Sequence, residues 1–402
     1  MGAIAGLVSF KNRYDKTQID KFKNVLAHRM SKANQLFTEN ILFIQEQEIY
    51  TNQDIKINFD GNIYNFKHFE RKYEIKAQSP SELIFHLYQK LGKSFFQELE
   101  GSFVFAIYDD LQKKVILVRD QLGEKAVYYN YKNHRLAYAS EIKAILTLSD
   151  IKREVNLGSM EKYFIFSYVP GEETMLKDVY ELLPACYIEF NQDGITKKQY
   201  WDLLADINNK ITSEEELKSK LNYLLNDSVK SRLPEDENVG VFLSGGIDSS
   251  LVAALAQIHN KQPINTYSVH FGKDYPNELY YSSMVAEHIK SNHQIIEIKP
   301  KNFLNDMFDI IKCLDDPIGD PITVPNFLMA KVASQNNRII LNGEGGDPCF
   351  GGPKNTSMIL SNIYSNSNDD LEIEKYYLKS YKKCYDIIPS FFSEYLLSDL
   401  KN

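Results

Sequence analysis

The sequence predicts an α/β chain in two parts: antiparallel sheets with helices outside them, followed by a doubly wound parallel sheet. Three observations carry the prediction. A chain of 402 residues is too long for one ordinary core and calls for two domains. Its first half is a series of short β-rich segments broken by polar turns. Beyond Trp201 the pattern becomes strand and helix in alternation, which is how a parallel sheet covered on both faces reads. The expected domains are residues 1–200 and 210–402.

The first strands are Ile41 to Ile44, Ile55 to Phe59 and Phe103 to Tyr108, separated by Asp-Gly or polar turns. Between them Ser81 to Leu91 has helical spacing, with Leu83, Ile84, Leu87 and Leu91 on one face. Val115 to Val118 and Ala126 to Tyr129 continue the strands. In the second part, residues 214–231 read as a charged amphipathic helix and Val239 to Leu243 as a short buried strand. Helices at Ser249 to Ile258, Leu279 to Ile289 and Phe327 to Ala333 alternate with strands at Thr266 to Phe271, Gln294 to Ile298 and Arg338 to Leu341. Residues 365–369 read as a polar loop, and no internal repeat is visible.

With 43% hydrophobic and 25% charged residues, the composition is that of a globular chain. The net charge of -8 is spread without a basic stripe, so no nucleic-acid partner is expected. No apolar run nears the ~18–20 residues that cross a bilayer, and no secretion signal opens the chain. Cys186, Cys313, Cys349 and Cys384 form no CxxC pair, which fits reduced thiols in the cytoplasm.

The most informative stretch runs from Val239 to Ser250. A buried strand enters Leu243-Ser244-Gly245-Gly246-Ile247-Asp248-Ser249-Ser250, and a helix begins on the far side. Gly245 and Gly246 let the backbone approach an anion, Ser244, Ser249 and Ser250 add hydroxyls, and the helix adds its dipole. The lysine of the kinase-type pattern GxxxxGK(S/T) is missing. Asp248 instead places a carboxylate where a phosphate-bridging magnesium ion needs one. The whole segment resembles the pyrophosphate loop of the ATP-pyrophosphatase superfamily, whose members release pyrophosphate and transfer AMP.

A second cluster narrows the family. The strand Ile339-Ile340-Leu341 opens into Asn342-Gly343-Glu344-Gly345-Gly346-Asp347-Pro348-Cys349-Phe350-Gly351-Gly352. This resembles the Ser-Gly-Glu-Gly-x-Asp-Glu-x-Phe-Gly-Gly signature of asparagine synthetases, and Leu314 to Pro321 resembles that family's upstream segment. The resemblance covers the chain from Met1 to about Gly352. It implies an N-terminal αββα Ntn-type glutaminase domain and a C-terminal ATP-pyrophosphatase domain, with ATP and Mg2+ as cofactors. Carried over by position, Ser244, Gly245, Gly246, Asp248 and Ser249 hold pyrophosphate, and Asp248 and Asp347 hold magnesium. Leu243, Val269, Asn342 and Gly343 line the nucleotide pocket, and Glu344 is the acid-base residue. A second family carboxylate is Pro348 here.

Class II amidotransferases begin Met-Cys-Gly, the cysteine serving as N-terminal nucleophile. Here the start is Met1-Gly2-Ala3-Ile4-Ala5-Gly6, and position 2 has no side chain. Phe59-Asp60-Gly61-Asn62-Ile63-Tyr64-Asn65-Phe66 resembles the family's Tyr-Asn-Gly-Glu-Ile-Tyr-Asn-Phe with both polar side chains changed. Pro80 in Ser79-Pro80-Ser81-Glu82 replaces the Asp that holds the glutamine amine, and His28-Arg29 lacks the Gly-Pro that follows it in relatives. Turn motifs such as Leu99 to Phe103 and Val118 to Lys125 persist. The expectation is a glutaminase-like domain without glutaminase activity.

Past the Glu344 loop the family carries a long helical region with an Arg-x-Pro-Phe-Leu-Asp-type segment and an acyl-adenylate-contacting Lys. Nothing after Gly352 resembles it, and Lys375, Lys379, Lys382 and Lys383 read as a solvated helix face. A C-terminally shortened synthetase domain is expected, completed by a homodimer or heteromer that supplies the helices. The resemblance implies an ATP-dependent amide-forming ligase. It would adenylate a small-molecule or peptide carboxylate and pass it to ammonia, the substrate's own amine or a peptide amine. The alternative is a non-catalytic or partner-dependent subunit of a synthetase complex.

Overall fold

Runs of apolar residues in the first half of the chain are long enough to be buried on both faces of a strand, and the fold places them so. The computed structural model describes residues 2–11, 17–52, 54–205, 213–234, 237–350 and 352. Two units are distinguished: Met1–Glu161 with Val169–Asn209, and Lys162–Tyr168 with Lys210–Asn402.

The strands of the first unit are β1 (Ile4–Ser9), β2 (Asn34–Phe37), β3 (Ile41–Gln45), β4 (Tyr50–Thr51), β5 (Ile55–Ile63) and β6 (Gly101–Asp109). They continue with β7 (Lys114–Arg119), β8 (Tyr128–Lys132), β9 (Arg135–Ala139), β10 (Tyr180–Glu181), β11 (Cys186–Asn191) and β12 (Gly194–Gln199). One sheet has the order β10-β8-β9-β1-β3-β2 and the other β12-β11-β7-β6-β5-β4; the pairings are antiparallel.

The helices are α1 (Thr17–Leu26), α2 (Phe66–Tyr73), α3 (Pro80–Leu91), α4 (Ile142–Ile145) and α5 (Leu157–Phe166). Side chains alternate along each strand. Along β6, Phe103, Phe105 and Ile107 join Phe69, Leu83, Ile84 and Leu87 beneath α2 and α3. Val104, Ala106 and Tyr108 turn the other way, against Ile4, Val8 and Phe43 of the opposite sheet. Along β1, Ala5 and Leu7 meet Ile19, Phe22 and Leu26 of α1. The layers are therefore helix, sheet, sheet, helix.

Two details depart from the sequence reading. Asp60-Gly61 is no turn: Asp60 pairs with Val104 and Gly61 with Phe103 inside the β5–β6 ladder. Gly61 has φ +131°, and a Cβ there would strike the backbone of Ser102 and Phe103, so the glycine serves close strand approach. The strand expected from Ala126 starts at Tyr128.

The second unit runs α6 (Glu214–Arg232), β13 (Val239–Phe242), α7 (Ile247–His259), β14 (Asn265–His270), α8 (Leu279–Ile289) and β15 (Asn292–Glu297). It continues with α9 (Phe303–Cys313), α10 (Thr323–Ala333), β16 (Ile339–Leu341) and the short α11 (Gly346–Phe350). The sheet is parallel in the order β15-β14-β13-β16.

Val229, Ala253, Leu255, Ala256 and Ala286 from α6, α7 and α8 cover one face with Val239 and Val241. Met329, Val332 and Ala333 of α10 cover the other, against Tyr267 and Val269. Helices on both faces make the sheet doubly wound. Among the described residues no helix is long and apolar enough to cross a membrane. The expectations for residues 365–369, Lys375, Lys379, Lys382, Lys383 and Cys384 fall outside the described residues.

Candidate active site

In chain order the four parallel strands of the second unit are arranged 3-2-1-4. Chain connections diverge between β13 and β16, and ligands of such sheets sit at the carboxyl ends of the strands flanking that point. The register pairs Val239 with Ile339 and Val241 with Leu341, so the loops leaving β13 and β16 emerge side by side. Those loops are the two glycine-rich motifs.

The first loop is tied at its root. Leu243 donates its N–H to Tyr267 O at 2.8 Å and accepts from Ser268 Oγ at 2.5 Å. Gly245 has φ +93°, and a Cβ there would lie 2.7 Å from both Ser282 N and Tyr281 Cβ; only glycine fits. Ser249 Oγ accepts from Ser244 N at 3.2 Å, donates to Gly246 O at 3.2 Å and lies 2.9 Å from Ser244 Oγ. Gly246 N donates to Ser244 Oγ at 3.2 Å.

Both hydroxyls are thus engaged in shaping the loop. Because the N–H groups of Ser244 and Gly246 are engaged as well, an incoming anion would meet the first-turn N–H groups of α7 first, and hydroxyl hydrogens second, after rotation. The N-cap of α7 is Gly246, with no side-chain cap, which leaves its first-turn N–H groups for a ligand. Ser250 Oγ is buried with no hydrogen-bond partner among the described residues.

The second loop closes over the first. A Cβ on Gly343 would lie 2.6 Å from Ser249 N and 2.9 Å from Asp248 C, and one on Gly346 would overlap the Asp248 carboxylate. Gly345 has φ +97°, close to that of Gly245. Asn342 Oδ1 accepts from Glu344 N at 3.2 Å, a local turn that orients the exposed Glu344. Asp347 follows Gly346 directly, and a Cβ on Gly352 would overlap its carboxylate.

The fold therefore brings Ser244, Gly245, Gly246, Asp248 and Ser249 against Asn342, Gly343, Glu344 and Asp347. Val269 stands near the end of β14, half-buried, one strand from Leu243. Among the described residues no cluster of three His, Cys, Asp or Glu side chains holds a metal by itself. Asp248 and Asp347 are carboxylates of the kind that would hold a magnesium ion. Sequence reasoning missed Ser268, Tyr281 and Ser282, which brace the loop from β14 and α8. They carry no motif, since their role is tertiary contact.

In the first unit, Gly2 precedes β1. A Cβ there would overlap Asp60 Oδ1 and lie 3.6 Å from Glu46 Oε2. The Asp60 carboxylate, 10% exposed, is paired with Lys125 Nζ at 3.0 Å. Glu141 gathers His28 at 2.8 Å, Lys143 at 2.7 Å and Arg29 at 3.4 Å. Pro80 occupies the first turn of α3, where Ser79 Oγ accepts from Glu82 N at 3.2 Å. Gln78 N donates to Glu82 Oε2 at 2.6 Å, so the same glutamate also ties down the residue before the cap. Proline suits that position because its missing N–H would be unpaired there anyway.

Residues 1–201 match the glutamine amidotransferase domain family, and residues 220–371 match the asparagine synthase family. A putative glutamine-hydrolysing asparagine synthetase 2 of Methanocaldococcus jannaschii is 29% identical over 393 residues, covering 88% of this chain and 75% of the relative. A putative asparagine synthetase of Mycobacterium tuberculosis is 30% identical over 308 residues, covering 73% of this chain and 47% of that one. Asparagine synthetase 1 of Bacillus subtilis is 29% identical over 310 residues, covering 75% and 48%. The chain thus spans three quarters of the archaeal relative and about half of the two bacterial ones.

Proposed function

The chain belongs to the asparagine synthetase family, and from that premise we propose that it is an ATP-dependent, AMP-forming amide ligase without glutaminase activity. The observation that carries the reading is the meeting of the two glycine loops at the β13–β16 strand ends. Leu243, Val269, Asn342 and Gly343 border the nucleotide. Backbone N–H groups of the Ser244–Ser249 loop take the β- and γ-phosphates. Asp248 and Asp347 would hold magnesium, which offsets the charge of the departing pyrophosphate.

A carboxylate oxygen of the substrate attacks the α-phosphorus, and the bond to pyrophosphate breaks. An amine nitrogen then attacks the acyl carbon, AMP departs with the ester oxygen, and the amine proton passes to Glu344 or to water through it. We place this chemistry in the cytoplasm.

The absence of glutaminase activity rests on Gly2. Position 2 has no nucleophile, and the Asp60 carboxylate lies where a side chain would project. The test is pyrophosphate exchange into ATP by the purified chain, across a panel of carboxylates, with glutamine as a separate arm. The expected result is carboxylate-dependent exchange and no ammonia from glutamine. Tight ATP binding with no exchange for any carboxylate would overturn the ligase assignment. Glutamine turnover blocked by a thiol reagent would overturn the other half.

One observation favours a second reading, in which the chain acts as a subunit. On α9, Leu304, Met307, Phe308 and Ile311 recur at helical spacing and are 71%, 39%, 75% and 56% exposed. An apolar stripe of this kind suits an interface. A homodimer or a heteromer would then cover this stripe. Mass measurement on the native protein, paired with the exchange assay, separates a self-sufficient monomer from such an assembly.

A further inference from the structure

The carboxyl end of the parallel sheet holds a second concavity, displaced from the glycine loops toward β15. It forms where β14 and β15 run out and has a volume of about 540 Å3. Its frame is ordered by specific contacts. Ile298 N donates to His270 O at 2.8 Å, joining the two strand ends, and the Ile298 side chain is buried beneath them. Gly272 N donates to His270 Nδ1 at 3.2 Å, which leaves the neutral imidazole's hydrogen on Nε2 as a donor. The Phe271 ring leans on Phe303 with centroids 6.3 Å apart.

Two features of this pocket bear on what it takes. Lys273, Lys299 and Lys301 line it against two carboxylates, Asp274 and Glu297, on a chain whose net charge is -8. It is also large: an ammonia molecule, like a water, needs only about 30 Å3. A concavity of several hundred Å3 suits an organic ligand. Parallel strands are spaced ~4.8 Å apart, so β14 and β15 lie roughly 5–10 Å from β13 and its loop. A separation of that order is one a small organic molecule can bridge.

We propose that this pocket binds the acyl acceptor, and that the acceptor is an amine that also carries an acid group: an amino acid or a small peptide. The proposal rests on the ligase reading above. Its carboxylate pairs with the Lys299 and Lys301 ammonium groups. Its amine, at the other end of the molecule, loses its ammonium proton to water and is presented to the acyl carbon as the free base. The nitrogen lone pair forms the new C–N bond, the acyl C–O bond to AMP breaks, and the released proton goes to Glu344. With Gly2 unable to draw ammonia from glutamine, an acceptor delivered in this way supplies the nitrogen.

The test is calorimetry on the full chain with magnesium and the non-hydrolysable ATP analogue AMP-PNP. The probes are L-glutamate, glycylglutamate and butylamine, with wild type compared to the double variant Lys299→Gln/Lys301→Gln. The expected result is that an acid-bearing probe binds wild type and binds the variant about tenfold more weakly, the loss of two charge-assisted contacts. Butylamine does not bind, and AMP-PNP affinity is equal in both proteins. Failure of both acid-bearing probes to bind wild type, or equal binding by the variant, overturns the proposal. So does an AMP-PNP affinity that falls with the lysines, because the pocket then belongs to the nucleotide. Failure of wild type to bind AMP-PNP at all counts against the ATP reading itself, which this separate arm reports.

Discussion

Each unit of this chain has glycine at the point where its family's chemistry is placed, and the two glycines have opposite meanings. Gly245 sits at φ +93° with Tyr281 and Ser282 against it, so a side chain there would break the loop proposed to take phosphate. Gly2 has an ordinary backbone, and what presses on it is a carboxylate, Asp60, held by Lys125. Around Gly245 the hydroxyls and the neighbouring acid needed for phosphate binding remain. Around Gly2 the ladders β1–β3 and β1–β9 are continuous, although position 2 itself has no side chain. A sheet's register depends on backbone pairing and apolar alternation, so it is independent of what stands at position 2. A phosphate loop has no such separation, because its binding groups are its backbone.

If that contrast holds, the two units respond to substitution in different ways. The largest effect is expected for Asp248→Ala, which should weaken magnesium-dependent ATP binding by about a hundredfold, read by calorimetry. Equal affinity in both proteins would remove the loop from the nucleotide site.

Gly2→Cys comes next. It should release no ammonia from glutamine, and forcing a side chain into the Asp60 carboxylate should cost about 1–3 kcal/mol of stability, read by urea unfolding. Glutamine turnover in this variant would show that the pocket was emptied only at position 2.

Ser79→Ala removes the α3 cap in the scaffold and should cost about 1 kcal/mol with no change in ATP affinity. A change in ATP affinity would mean that the units are coupled.

The smallest effect concerns pH. His293 lies on β15 with Nδ1 2.9 Å from Thr266 Oγ1, and its buried Nε2 has no partner among the described residues. Burial lowers its pKa below the usual imidazole range. The unfolded chain therefore takes up a proton near pH 6.5 that the folded chain refuses. Stability is full above that pH and declines below it, by an apparent melting shift of about a degree or two. His293→Gln should flatten that decline; an unchanged pH profile would assign it elsewhere.

Much of this was legible in the sequence because it is written in periodicity. The strands of the parallel sheet and the helices between them fall close to where apolar spacing puts them, and so does α3 with its Ser-Pro start. Asp60-Gly61 was misleading, since a turn dipeptide and a crossing glycine inside a ladder look alike without the partner strand. The helix α9 was unread, although Leu304, Met307, Phe308 and Ile311 carry helical spacing, because its apolar side is exposed and joins no obvious core. In the site, the residues named by motif were brought together as the sheet order requires. The nearness of Gly343 to Ser249, and the bracing by Ser268, Tyr281 and Ser282, depend on how three strands stack. No local pattern encodes that.

The register that pairs Val239 with Ile339 joins positions separated by 339 − 239 = 100 residues, and this sets a clock on the site's first appearance. On a ribosome adding about 5–20 residues per second, the Ser244–Ser249 loop leaves the tunnel roughly 5–20 seconds before β16 and the Asn342–Asp347 loop. During that interval β13 has an open edge, and the loop has half of its walls. The two glycine loops cannot meet on the nascent chain until β16 inserts beside β13. If the site takes ATP as proposed, an arrest between residues 260 and 335 should yield chains that carry the Ser244–Ser249 loop but cannot retain ATP.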